Sequence, residues 1–144
     1  MATPVLVLNG PNLNRLGVRE PDVYGHTTFE QLGALCRHTA EQHGLSAEVR
    51  QTNDEAQLID WLHEAADHRT PVVLNPAAFT HYSYALRDAC AMLTAPLIEV
   101  HLSNPASREE FRHTSVISGV ATGTIAGFGP DSYVLALEQI ARLV

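Results

Sequence analysis

Two ionisable residues near the middle of the sequence have the types and spacing of an acid-base pair. Glu99 and His101 are two positions apart in the apolar segment 97–101, which has the pattern of a strand. Residues two apart on a strand share a face, so the carboxylate lies beside the imidazole, fixes its tautomer and favours its protonated form. His101, with Glu99 beside it, is therefore a candidate general acid. The alternative is that the two residues form a surface salt bridge at a strand end.

Arg19 and Tyr24 form a second candidate pair, in a loop rich in glycine, proline and asparagine. A guanidinium close to a phenol favours the phenolate and so makes a tyrosinate base accessible near neutral pH. Spacing alone does not bring these two side chains into contact, and an exposed loop tyrosine beside an unrelated arginine is the alternative. The pair is a candidate general base.

A third set of side chains suits a small acid that carries several hydroxyl groups. Arginine grips a carboxylate through two parallel N–H bonds, and amides, hydroxyls and imidazoles bond to substrate hydroxyls. The set consists of Asn12, Asn75, His81, Ser103, Arg108 and Arg112. A base, an acid and these donors together indicate proton abstraction and elimination on a small hydroxylated acid.

The basic residues exclude several other chemistries. All nine are arginine, so the chain has no lysine. Schiff-base catalysis, a pyridoxal anchor and a phosphate-binding P-loop lysine are therefore ruled out. The formal net charge is −7 and the arginines are scattered along the chain, which disfavours nucleic acid as a partner. A small anion can still bind where a few arginines meet in a cleft.

Other patterns lack what their chemistry requires. Two expected strands end in Asn9 and Asn75, where a phosphoacceptor or a Mg²⁺-dependent phosphatase needs aspartate. The segment Gly127–Gly129 lacks the third glycine and the downstream acid of a dinucleotide fingerprint, and is typical of a turn. His63 and His68 are five residues apart rather than four, which places them on different sides of a helix. We expect no metal and no cofactor.

The elements that must position these residues alternate between β-rich runs and amphipathic helical stretches, which is the pattern of a doubly wound parallel sheet. Apolar residues at intervals of three, four and seven predict four main helices near residues 27–44, 58–66, 86–93 and 134–144. The first has a capping-box spacing from Thr27 to Glu30 and ends at Gly44. Five strands are expected, at residues 5–8, 47–51, 72–75, 97–101 and 124–128.

Three polar loops leave the carboxyl ends of these strands, at residues 9–26, 75–81 and 101–112. In a doubly wound sheet, ligands bind at that edge. The first loop is long and carries charged and aromatic residues, as functional lids do. We therefore expect the site on this rim.

Three long segments, in order along the chain, carry a family pattern: LNGPNLNRLGVREPDVYG, NPAAFTHYSYALRDA and IEVHLSNPASREEFR. Together with residues 55–66 and the ending ATGTIAGFGPDSYVLAL, they closely resemble the type II 3-dehydroquinate dehydratases over nearly the whole chain. The resemblance implies a flavodoxin-like α/β fold, a five-stranded parallel sheet with helices on both faces, in one catalytic domain over residues 1–144. It also implies reversible dehydration of 3-dehydroquinate to 3-dehydroshikimate in the shikimate pathway, which leads to aromatic amino acids, with no cofactor or metal.

The resemblance implies a role for each of five catalytic candidates. Tyr24 resembles the base that removes the proton alpha to the substrate ketone, and Arg19 the residue that keeps it as tyrosinate. Asn12 resembles the residue that positions a water against the enolate oxygen. His101 resembles the acid that protonates the departing hydroxyl, oriented by Glu99.

The resemblance also assigns the substrate contacts and an assembly. The positions that bind substrate hydroxyls and carboxylate are Asn75, His81, Ser103, Arg112 and the backbone amides of Leu102 and Ser103. Asp88 resembles a residue that reaches the site of a neighbouring subunit in a homododecamer built from four trimers. The expected partners are therefore 3-dehydroquinate and further copies of this chain, with no nucleic acid and no membrane.

Two positions depart from the family pattern. Ala77-Ala78 stands in a turn where glycine is typical, and Ser118-Gly119 stands where Ser-Pro is expected. Neither change removes a catalytic group, although an extra methyl near Asn75 could shift substrate affinity.

The N-terminal apolar run at residues 5–8 is too short for a signal peptide or a membrane span. The only two cysteines, Cys36 and Cys90, are far apart and have no disulfide or metal spacing. We expect a cytoplasmic protein.

Two other classes of function remain open at this stage. A binding module for an acidic metabolite would use the same arginines and would not need the hydroxyl of Tyr24. A purely structural subunit would bind no such acid and would gain no thermal stability from one.

Overall fold

The computed structural model describes residues 1–144 and contains one five-stranded sheet whose strands are all parallel. The spatial order is β2-β1-β3-β4-β5, which is the flavodoxin-like order. The expected fold class is therefore confirmed. The strands are β1 (Thr3–Asn9), β2 (Leu45–Gln51), β3 (Val72–Asn75), β4 (Leu97–His101) and β5 (Gly123–Ala126).

Helices cover both faces of this sheet. The short helix α1 (Pro21–Tyr24) lies in the first loop, followed by α2 (Phe29–Gln42), α3 (Glu55–His68), α4 (Tyr84–Cys90) and α5 (Asp131–Leu143). The helices α2 and α5 pack together on one face, and α3 and α4 pack together on the other. None of them combines the length and the apolar character that crossing a membrane requires.

The central strands β1, β3 and β4 bury both of their faces over most of their length, which explains why they are continuous apolar runs. Along β1, Val5 and Val7 join the core under α2 and α5, while Leu6 and Leu8 join the core under α3 and α4. The two cores flank the sheet, so the strand ends are held rigidly.

Only β3 and β4 have the expected bounds, and the other predicted elements differ at one or both ends. The capping box of α2 pairs Thr28 with Gln31, not Thr27 with Glu30, because Thr28 is the residue in extended conformation before the helix and Gln31 completes the reciprocal bonds at 3.0 and 3.1 Å. Strand β5 ends at Ala126, because Gly127 adopts a φ of 94° that turns the chain away. Helix α4 ends at Cys90, before residue 93.

The exits of β1 and β3 touch at Gly10. A Cβ atom at this position would lie 2.6 Å from the carbonyl oxygen of Pro76, so only glycine allows the two loops to approach this closely. The Gly10 N–H donates to the carbonyl oxygen of Asn75 at 2.8 Å. The first and second polar loops therefore leave the sheet side by side.

A buried hydrogen-bond network joins the same two strand ends to α5. The hydroxyl of Tyr133 donates to Oδ1 of Asn9 at 2.6 Å and accepts from Nδ2 of Asn75 at 2.9 Å. Burial raises the pKa of Tyr133 above its usual range, so its hydroxyl remains a donor at all physiological pH values. The network fixes both asparagine side chains at the rim.

We expect Tyr133→Phe to lower the free energy of unfolding by about 1–3 kcal/mol, because Oδ1 of Asn9 and Nδ2 of Asn75 each lose a buried hydrogen bond. Urea denaturation followed by circular dichroism measures the change. Tyr84→Phe is the matched control, since Tyr84 is 72% exposed, and should change stability by less than about 0.5 kcal/mol. Equal losses in the two variants would contradict the assigned role of the network.

Candidate active site

The first loop is an ordered structure that brings Arg19 and Tyr24 together. Leu13 and Leu16 are buried in the core and anchor its first half. The second half turns at Glu20, which has a φ of 40°, into the single-turn helix α1 that ends at Tyr24. The guanidinium carbon of Arg19 lies 4.7 Å from the centroid of the Tyr24 ring, so the expected proximity is observed.

The hydroxyl of Tyr24 is contacted by a different arginine. Nη1 of Arg108 donates to the phenolic oxygen of Tyr24 at 2.5 Å, while Arg19 lies over the ring face. A guanidinium bonded to the phenolic oxygen stabilises a negative charge on that oxygen more than one stacked on the ring does. Arg108 was expected among the donors to a small hydroxylated acid, and its bond to Tyr24 was not predicted.

Glu99 and His101 form a contact at the end of β4. His101 Nε2 lies 2.5 Å from Oε2 of Glu99, and both residues are buried. Because an ionised carboxylate only accepts, Nε2 carries the proton, and Nδ1 is left to face the cavity that the His101 side chain lines. The expected pairing is observed.

Two serines that the sequence analysis did not single out complete the surroundings of Glu99. Ser118 Oγ donates to Oε1 at 2.7 Å, and Ser115 Oγ lies 3.0 and 3.1 Å from the two carboxylate oxygens. Burial opposes ionisation, but the bonds from His101, Ser118 and Ser115 outweigh it and hold the pKa of the Glu99 carboxyl below its usual value. The carboxylate is therefore ionised at neutral pH.

His81 presents an acceptor to the same cavity. Its Nδ1 donates to the carbonyl oxygen of Thr114 at 2.9 Å. Burial is the main cause that lowers the pKa of His81, helped by the charges of His101 and Arg112, so the ring is neutral at pH 7. Neutral His81 with a proton on Nδ1 keeps Nε2 as an acceptor for a hydroxyl group.

Asn75 lines the cavity, and most of the hydrogen-bonding groups of its side chain have partners within the chain. Its Oδ1 accepts from the backbone N–H of Ala77 at 3.1 Å, and its Nδ2 donates to Tyr133. One N–H of the amide therefore remains free to meet a ligand.

The start of the third loop offers backbone donors. Leu102 and Ser103 follow directly after β4, and neither backbone N–H donates to another group of the chain. Both residues line the cavity beside His101. Two adjacent free N–H groups form a concavity that favours an anion.

These side chains line one cavity that opens to solvent. Three arginines and two histidines line it and no acidic residue does, so the site is cationic in a chain of net charge −7. Of the candidates from the sequence, Glu99 lies behind His101 and Asp88 is exposed on α4 beside Arg87, outside the cavity of its own chain. The lining residues are Pro11, Asn12, Leu13, Arg19, Tyr24, Asn75, Ala77, Ala78, His81, His101, Leu102, Ser103, Pro105, Arg108 and Arg112.

No group of three or more histidine, cysteine, aspartate or glutamate side chains is arranged to hold a metal ion. His68 Nδ1 instead bonds to the carbonyl oxygen of Glu64 at 2.9 Å.

The two departures from the family pattern have different structural settings. Ala77 adopts a φ of 53°, a left-handed conformation that glycine reaches without strain, so its methyl group stands in the cavity wall at an energetic cost. At Gly119, a Cβ atom would meet nothing within 4 Å, so the missing side chain leaves open space. Ser118 beside it keeps its bond to Glu99.

Comparison with known proteins agrees with this geometry. A 3-dehydroquinate dehydratase from Salinispora tropica is 61% identical over 137 residues, which cover 95% of this chain and 96% of the relative. One from Mycobacterium leprae is 57% identical over 141 residues, covering 98% and 97%. The crystal structure of a type II dehydroquinase from Propionibacterium acnes superposes with a TM-score of 0.97 at 56% identity, covering 99% of this chain and 98% of that one. The sequence profile of the family described as "Dehydroquinase class II" matches residues 3–141. The chain therefore belongs to the class II dehydroquinases.

Proposed function

We propose that residues 1–144 form one catalytic domain that removes water reversibly from 3-dehydroquinate, giving 3-dehydroshikimate, through an enolate intermediate in the shikimate pathway. The observation that carries the proposal is that Tyr24 and His101 line the same cationic cavity, each held by an oppositely charged or hydrogen-bonding neighbour. One side chain can take a proton and the other can give one, with no metal or cofactor required.

In the first step, Tyr24 acts as the base on the proton next to the substrate ketone. The bond from Arg108 to the phenolic oxygen and the guanidinium of Arg19 over the ring place two positive charges beside the group that acts as the base. A positioned base of this kind contributes about 10²–10⁴ in rate.

The negative charge that develops on the ketone oxygen needs a donor placed in advance, since the enolate is much less stable than the ketone. We assign this role to Asn12 through a water molecule. Asn12 lines the cavity and its side chain does not cap the turn that follows it, which supports the assignment.

In the second step, His101 protonates the departing hydroxyl from Nδ1, and the hydroxyl leaves as water. The Glu99 carboxylate at Nε2 fixes the tautomer and stabilises the imidazolium before transfer. As the enolate re-forms the ketone, the electron pair forms the new carbon–carbon double bond and the carbon–oxygen bond to the hydroxyl breaks. Tyr24 then gives up the proton that it took, and His101 regains one, by exchange with solvent before the next turnover.

We assign binding of the substrate carboxylate and hydroxyls to other residues that line the cavity. The free amides of Leu102 and Ser103 suit the carboxylate, and neutral His81 suits a hydroxyl. The Ser103 side chain, the free N–H of Asn75 and the guanidinium of Arg112 complete the set.

The proposal is tested by adding purified protein to 3-dehydroquinate with chelator present and following the ultraviolet absorbance of the conjugated enone. We expect growth of this signal, insensitive to chelator and to borohydride pretreatment. Tyr24→Phe should still bind substrate but lose about 10²–10⁴ in kcat, because it lacks the ionisable hydroxyl.

Tyr82→Phe is the matched control, since Tyr82 is 59% exposed and does not line the cavity, and it should keep full turnover. Full turnover in Tyr24→Phe would reject the assigned base. A folded protein that binds the acid without producing enone would instead be a binding module. A melting temperature unchanged by the acid would point to a structural subunit.

We also expect a bell-shaped dependence of kcat/KM on pH, because the proposed reaction needs one group that takes a proton and another that gives one. The pKa of Glu99 is held low, so its charge persists beside His101 across this range. Glu99→Gln removes that charge, disfavours the imidazolium and should move the basic limb to lower pH. Glu41→Gln, at an exposed position on α2, should leave both limbs in place. A flat wild-type profile, or an unmoved basic limb in Glu99→Gln, would contradict the pair.

We further infer that the chain works in the cytoplasm as a homododecamer of four trimers, with Asp88 contacting a neighbouring subunit's site. Both cysteines are free and buried, as in proteins of reducing compartments.

The edge strand β5 has one unpaired side and lies near Phe128 and Leu135, which are 64% and 42% exposed, a combination that favours association. Light scattering at micromolar concentration should give about twelve times the 15.7 kDa of the chain. A monomeric mass would refute the assembly.

A further inference from the structure

Asn12 has an unusual backbone and an unusually free side chain. It is the residue before the short helical turn Leu13–Arg15, and its φ of 70° and ψ of −3° lie in the left-handed region. Asparagine in this position normally caps the turn with its side chain, yet no such bond is present here. Asn12 instead lines the cavity, and its side-chain amide is left without a bond to the turn that follows it.

The left-handed conformation carries strain, and strain of this kind persists only where the surroundings enforce it. The enforcing contact comes from the loop between β2 and α3. Oδ1 of Asn53 accepts the backbone N–H of Asn12 at 3.0 Å, across 41 residues of sequence.

Asn53 is itself held in place by Gln51. Nε2 of Gln51 donates to Oδ1 of Asn53 at 3.0 Å and to the carbonyl oxygen of Gly10 at 3.1 Å, so both of its N–H bonds are used. Gln51 is the last residue of β2 and pairs in register with Asn9 of β1. The contact to Asn12 is therefore built on the sheet and not on a mobile loop.

We propose that Asn53 is a positioning residue for the dehydration, which holds the backbone of Asn12 so that the amide of Asn12 can place a water molecule against the enolate oxygen. The proposal rests on the function proposed above. Asn53 does not line the cavity and acts only through Asn12.

The alternative state of the loop explains why a holding contact is needed. Without the acceptor on Asn53, the backbone of Asn12 is free to relax to an extended conformation, in which its side chain caps the turn Leu13–Arg15. In that conformation the side chain of Asn12 bonds to the free N–H groups of the turn, and its amide is withdrawn from the cavity. A displacement of about 1 Å in a catalytic group costs roughly 10²-fold in rate.

The experiment compares three variants of the full chain by steady-state kinetics and by crystallography. Asn53→Ala removes the acceptor, and we expect kcat to fall about 10- to 100-fold with KM nearly unchanged, because the lost interaction acts in the transition state. Asn53→Asp keeps an acceptor oxygen and should recover most of kcat, with a higher KM because it adds a negative charge near an anion site.

Asp54→Ala is the control for stability alone. Asp54 is the next residue and caps α3 by accepting from the N–H of Ala56 at 2.9 Å, without contacting Asn12. Its loss should lower Tm by about 2–8 °C and leave kcat in place.

The crystal structure of Asn53→Ala should show Asn12 outside the left-handed region. An Asn12 backbone that stays left-handed in Asn53→Ala would overturn the proposal, and so would a fall in kcat that Asp54→Ala shares or that Asn53→Asp does not repair. Absence of turnover in the wild-type chain would refute the proposed dehydration instead, and the backbone of Asn12 in the crystal would still decide whether Asn53 holds it.

Discussion

The hydrogen bonds to a buried, ionised carboxylate on β4 are the interactions on which this rim of the sheet depends. Glu99 is 1% exposed, and an unpaired charge at that depth would cost several kcal/mol, so its donors are a condition of folding. They come from His101 on the same strand and from Ser115 and Ser118 in the segment that follows the third loop. Ser115 also accepts the backbone N–H groups of Ile117 and Ser118, so this segment folds around the carboxylate. The same bonds that satisfy the charge fix the imidazole in one tautomer.

The opposite side of the rim depends on backbone geometry. The exits of β1 and β3 pass in contact because position 10 is glycine, and the Tyr133 hydroxyl joins Asn9 and Asn75 beneath them. Two loops that would otherwise be independent therefore share one rigid base. Asn12 and Ala77, whose backbones are in the left-handed region, lie in these two loops. The packing of the sheet beneath the loops supplies the free energy that keeps both residues in this conformation.

The sequence predicted the elements well and their contacts poorly, for physical reasons. Strands β3 and β4 have the bounds expected from their continuous buried runs, and the Glu99–His101 contact follows from the period of a strand. The bond between Arg108 and Tyr24 joins loops 84 residues apart, and no periodicity relates such positions. The serines around Glu99 and the contact from Asn53 were missed for the same reason. The cap of α2 was misplaced by one residue, because Thr27 and Thr28 both satisfy the pattern and only the backbone conformation separates them.

The electrostatics of the site follow from where the acids stand relative to the arginines. Glu20 lies 3.6 Å from Arg19 and 3.8 Å from Arg108, and Glu109 lies 3.2 Å from Arg112, yet neither carboxylate lines the cavity. Both acids are about half exposed, so solvent screens these pairs and they add little to folding stability. These pairs orient the arginines. Each carboxylate contacts an arginine from outside the cavity lining, and no acidic residue within the lining neutralises the arginine charge. An acidic chain can in this way present a cationic cavity to an anion, because the acids that balance the arginines stand behind them and do not compete with the substrate.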